Sequence, residues 1–103
     1  MVSANAWPFD DPPNCAVFVT REVMDREEPI LLATHEDGEN SWSFIGTTNG
    51  MLENCRILAL HEAAALDSSL FTLADLPIGW RAYRTSPEDA WTREPISDAT
   101  QTI

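Results

Sequence analysis

Asp75-Leu76-Pro77-Ile78-Gly79-Trp80-Arg81-Ala82-Tyr83-Arg84 carries the strongest punctuation in this chain: a proline and a glycine separated by one residue, with a Trp, a Tyr and two Arg following at once. Pro77 ends the helical-looking run Leu73-Ala74-Asp75-Leu76, because proline disfavours helical backbone at the residue before it. Gly79 admits a positive φ, the usual device for a sharp turn into a new strand. Beyond it the side chains alternate, with Trp80, Ala82 and Arg84 on one side and Arg81, Tyr83 and Thr85 on the other. Residues 79–85 therefore read as a strand entering a sheet from a helix.

The residue types on that strand admit two readings. Trp80 is a core anchor and the two Arg pair with local carboxylates, since a buried Trp contributes more to a small core than almost any other residue. Alternatively, Trp80, Arg81, Tyr83 and Arg84 form an interaction patch, because these types are enriched in binding hot spots.

Upstream, His61-Glu62-Ala63-Ala64-Ala65-Leu66 has high helix propensity. Asp67 or Ser68 can cap a second short helix running to Leu73. Ala63, Leu66, Leu70 and Leu73 recur at spacings of three and four, giving one apolar stripe to lay on a sheet. Four earlier segments supply strands. Cys15–Thr20 is rich in β-branched and aromatic residues. Ile30–His35 is a continuous apolar run, suited to a strand covered on both faces. Ser41–Gly46 alternates, with Trp42 and Phe44 on one face. Arg56–Leu60 is short and apolar. Glu36-Asp37-Gly38-Glu39-Asn40 reads as a loose hairpin connection. Arg21–Glu28 is highly charged and predicts one helical turn or a loop, ended by Pro29.

Strand, strand, strand, strand, helix, strand indicates an α+β fold: a mostly antiparallel sheet of about five strands with one or two short helices on one face. Residues 1–13 form an extended lead-in on which Trp7 and Phe9 can dock. Residues 14–92 form a single domain, and residues 93–103 a frayed tail.

The 103-residue chain suffices for one domain, and 44% hydrophobic residues indicate a folded one. No apolar run reaches the length of a membrane span. The N-terminus lacks the pattern of a secretory signal, which points to the cytoplasm. Seventeen Asp and Glu against six basic residues, all Arg, give a formal net charge of −11. Such a chain repels nucleic acid and anionic membranes and attracts basic proteins. The charge also accounts for solubility with no partner at all. Cys15 and Cys55 show no CxxC spacing and sit among apolar neighbours, so they read as reduced, small core residues.

Chemistry-bearing groups are sparse. His35-Glu36-Asp37 and His61-Glu62 are the sole His/carboxylate groupings, each at the end of an expected strand. Were those ends adjacent, two His and a carboxylate could bind a transition metal, although the spacing fits no known metal signature. The serines lack a nucleophile-elbow context, and no glycine-rich phosphate loop is present. No catalytic residue, metal ligand or cofactor is assigned.

Several stretches resemble a group of small bacterial proteins related to a family that contains toxin-immunity proteins. They are Val19-Thr20-Arg21-Glu22-Val23, Pro29-Ile30-Leu31, His35-Glu36-Asp37-Gly38 with Trp42-Ser43-Phe44, and the Leu-Pro-x-Gly-Trp segment at 76–80. Together they span roughly residues 15–91, and the last is the most specific. The resemblance implies a bacterial cytoplasmic α+β protein and offers an immunity role. The family carries no established activity or catalytic residues to transfer.

The leading expectation is an acidic, non-enzymatic binding module that occludes a basic partner or toxin. Its contact residues would be Glu36, Asp37, Glu39, Trp80, Arg81, Tyr83 and Arg84, with further acids from 22–28. The competing expectation is a metal-dependent enzyme or small-molecule binder using His35 and His61. A homodimer through an exposed sheet edge is a third.

Overall fold

The computed structural model describes residues 7–37, 42–47 and 52–96. In chain order the elements are β1 (Ala16–Thr20), α1 (Arg21–Met24), β2 (Leu32–His35), β3 (Trp42–Ile45), a 3-10 turn (Leu52–Asn54) and β4 (Cys55–Ala59). Then come α2 (Leu60–Leu66), a second 3-10 helix (Ser68–Leu73), β5 (Trp80–Tyr83) and β6 (Thr92–Pro95). The α+β class expected from the pattern is the class observed. None of these helices is long and apolar enough to cross a membrane.

The sheet differs from the expected one in two respects. It has six strands, in the order β4-β1-β3-β2-β5-β6, and it is mixed. β1 and β3 run parallel, whereas the β1–β4, β2–β3, β2–β5 and β5–β6 pairs are antiparallel. The parallel pair arises because β2 does not return beside β1. α1 and the turn before Pro29 carry the chain across one strand position, and β3 folds back into the gap. The added strand is β6, which places residues 93–95, expected in the tail, in the sheet. Its sequence, Thr-Arg-Glu-Pro, has no apolar alternation, and only pairing with β5 makes it a strand.

One face of the sheet is covered. Val17, Val19, Ala33, Trp42, Phe44 and Ala82 point to it and are buried. Leu60, Ala63, Leu70 and Leu73 from α2 and the second 3-10 helix pack against them, with Leu66 half-buried alongside. Local signals set these elements. The Glu62 carboxylate accepts from the Ala59 N–H at 2.9 Å, closing the first turn of α2. Asp67 accepts from the Ser69 N–H at 2.9 Å, capping the 3-10 helix as its residue type predicts. The lead-in joins this core. Phe9 is buried and meets Trp42 edge-on at 5.5 Å between ring centroids.

Both outer edges of the sheet discourage further pairing. On β4 the Arg56 guanidinium donates to the Glu53 and Cys55 carbonyls, and β6 ends in Pro95, which has no N–H to offer. These features oppose the edge-to-edge homodimer expected as one option.

Candidate functional site

The turn at Pro77–Gly79 works as its residues dictate. Gly79 adopts φ +90°, and its N–H donates to the His35 carbonyl at 2.6 Å. This bond seats the segment before β5 against the end of β2. Trp80 then lies opposite His35 in the strand register.

His35 is the centre of the resulting site. Its ring lies flat on the Trp42 indole, 3.9 Å between centroids. Nδ1 is 2.7 Å from the Leu76 carbonyl oxygen. A carbonyl can only accept, so Nδ1 carries the proton and Nε2 of the neutral ring is an acceptor. Nε2 faces Asp11 Oδ2 at 3.9 Å. That carboxylate accepts from the Trp42 indole N–H at 2.9 Å, while the Asp11 carbonyl accepts from the Trp7 indole at 2.8 Å. Two tryptophans thus hold Asp11 by its side chain and its backbone. Around this group is a cavity of about 320 Å³, walled by Phe9, Leu76, Pro77 and Ile78 and bordered by Asp10 and Asp75.

The sequence-derived patch on β5 does not assemble. Trp80 and Arg84 point to the covered face, and Arg81 and Tyr83 to the open one. Trp80 is half-buried. Arg81 lies on the open face and pairs with Glu94 at 2.5 Å. Tyr83 is exposed on the same face. Arg84 is buried at 6% exposure and cannot act as a surface contact. Its guanidinium donates twice to the Ile30 carbonyl, and also to Ser69 Oγ, the Pro87 carbonyl and Asp67. It lies over the Trp91 ring, 4.2 Å from the centroid. Pairing with local carboxylates, the alternative reading of both arginines, is what the structure shows.

The acidic residues divide into two groups. In the 22–28 segment they are engaged locally: Arg21 pairs with Glu22, Asp25 and Glu27, Glu22 also accepts from Asn54, and Glu28 accepts from Thr47. Glu36 and Asp37 are exposed, and no cation lies against either among the described residues. Glu39 lies outside the described residues.

His61 is exposed at the start of α2 and does not line the cavity that His35 lines. Among the described residues no three His, Cys, Asp or Glu side chains converge on a metal position. Cys15 and Cys55 are half-buried and not joined in a disulfide. Burial raises both thiols, and Asp11 raises Cys15 further, the opposite of nucleophile activation.

Sequence reasoning missed Asp11 and the partnership of His35 with Trp42. The available signals were an acidic pair before two prolines and a His ending an apolar strand. Neither reveals a contact across 31 residues, as Asp11 makes with Trp42, or 41, as His35 makes with Leu76. The chain matches no protein-family model, no curated protein and no solved structure.

Proposed function

We propose that this protein is an acidic, non-enzymatic binding module that occludes a basic protein. Its contact surface would be the end of the sheet carrying Glu36 and Asp37 beside Asp10 and Asp11. One observation carries this reading. Glu36 and Asp37 follow directly on His35, which shares a cavity with Asp10 and Asp11, and among the described residues no arginine pairs with any of these four carboxylates, Arg93 being paired with Asp75 at the cavity's border. By contrast, Arg21, Arg81, Arg84 and Arg93 are each bound to a carboxylate of this chain. Negative charge left over at one corner speeds encounter with a basic partner and disfavours acidic ones. The exposed Ile78 side chain beside it offers apolar area for a longer-lived contact. An immunity role in a bacterial cytoplasm is the biological setting that the sequence resemblance supplies.

The test is capture of partners from lysate of the source organism, washed at low and high salt, with the native chain and with Glu36→Lys/Asp37→Lys. The reading requires one stoichiometric basic protein that high salt weakens and the double variant loses. Capture unaffected by the charge reversal would remove Glu36 and Asp37 from the contact.

A further inference from the structure

We infer that the cavity between Asp11 and His35 is a receptor for a single arginine side chain, presented by the basic partner proposed above, on which reading this inference rests. Two acceptors border this cavity: Nε2 of His35, whose Nδ1 donates to the Leu76 carbonyl, and the Asp11 carboxylate, which already accepts from the Trp42 indole. Nε2 of His35 and Oδ2 of Asp11 face each other at 3.9 Å, too far for a hydrogen bond. Each is held where it is. Leu76 fixes the imidazole tautomer, Trp42 supports the ring by stacking, and the Trp42 indole orients the carboxylate. The His35 side chain is 13% exposed and that of Asp11 37%, so a ligand reaching them is partly desolvated. Two acceptors held apart in this way call for a group with several N–H donors and a positive charge.

The walls narrow the choice. Phe9, Leu76, Pro77 and Ile78 surround the acceptors with apolar surface. A guanidinium is planar, weakly hydrated and carries five donors, so it tolerates apolar walls while donating to both groups. An ammonium is a compact, strongly hydrated charge and is less suited to this cavity. The volume of about 320 Å³ is small, at the low end of the roughly 300–1,000 Å³ of small-ligand pockets. It has room for one arginine side chain. Asp10 and Asp75 border the mouth and favour the same sign of charge, although Asp75 is also paired with Arg93 at 2.8 Å.

The experiment is a titration of the full-length, ¹⁵N-labelled chain with Nα-acetyl-arginine amide up to about 50 mM, followed at the Trp42 indole N–H. Nα-acetyl-citrulline amide, the uncharged isostere, is the control. The expected result is a saturable shift with the arginine probe and none with citrulline. Asp11→Asn, which keeps an acceptor for the indole, should weaken the affinity about tenfold. Ile78→Ser, an exposed change that leaves the core intact, should weaken it by a few-fold. No saturable shift, equal shifts from both probes, or affinity unchanged by both variants would overturn the inference. A basic partner captured through Glu36 and Asp37 by a chain whose Trp42 indole ignores the arginine probe overturns the pocket alone. A saturating probe with no salt-sensitive partner overturns the docking reading and leaves the pocket.

Discussion

The imidazole of His35 and the indole of Trp42 are stacked with 10° between their planes, and the same imidazole is bonded to the Leu76 carbonyl. One side chain therefore ties β2 to β3 and to the segment that turns into β5. His35→Leu keeps apolar bulk but loses the bond and leaves the half-enclosed Leu76 carbonyl without its donor. The expected cost is about 1–2 kcal/mol, read from chemical denaturation. The near-UV dichroism of the tryptophans should change with it. A variant as stable as the native chain would show that the bond and the stack contribute nothing net.

Arg84 is the polar keystone of the opposite end of β5. Its side chain is 2% exposed and its partner Asp67 24%. Arg84→Met preserves the stem but removes the donors to the Ile30 carbonyl and leaves the partly buried Asp67 carboxylate without its cation, at a cost of roughly 3 kcal/mol. Arg84→Lys retains the charge but not the fork that bonds Ile30, Ser69 and Asp67 together. It should recover less than half of the loss. Denaturant midpoints of the two variants measure this directly.

Asp67 sets an acid limit on stability. Burial alone would raise its carboxyl, but the Ser69 N–H and hydroxyl together with Arg84 outweigh that and leave it lowered. A carboxyl lowered in the folded state contributes stability that is fully present above its unfolded-state pKa. That stability is lost as pH falls through the lower folded-state value. Thermal midpoints should therefore decline as pH drops below the ordinary carboxylate range. Asp67→Asn should start lower at neutral pH and show a shallower decline. Equal slopes for the two proteins would contradict this.

Two glycines should respond to alanine for different reasons. At Gly79 nothing lies within 4 Å of an added Cβ, but φ is +90°. Gly79→Ala therefore costs backbone strain alone, about 1–2 kcal/mol. At Gly46 an added Cβ would come 2.7 Å from the Pro29 carbonyl oxygen and from Glu28 Oε1. Gly46→Ala must push β3 away from the turn that precedes β2. Hydrogen exchange would separate the two, with faster exchange confined to the turn before β5 for Gly79→Ala and spread along β2 and β3 for Gly46→Ala.

Much of the architecture was legible locally. The Pro77–Gly79 punctuation, the Asp67 cap, the stripe of Ala63, Leu70 and Leu73 and the alternation of Trp42 and Phe44 each follow from rules acting over a few residues. β6 was not legible, because Thr-Arg-Glu-Pro becomes a strand through hydrogen bonds that β5 offers. The patch proposed on β5 failed by the same alternation that identifies the strand. Neighbouring residues point to opposite faces, so Arg84 went inside and Arg81 outside.

The chain's own order of residues established the α+β class, the turn into β5 and the surplus of carboxylates, since propensity, turn chemistry and net charge are properties of short segments or of composition. It did not establish that β3 would settle between β1 and β2, or that Asp11 would meet His35 over Trp42. Those relationships join residues 24 to 31 positions apart, and no local pattern encodes which distant surfaces will meet. They were decided when the apolar faces of β1, β3 and the lead-in found one common arrangement that buried Phe9, Trp42 and Phe44 together.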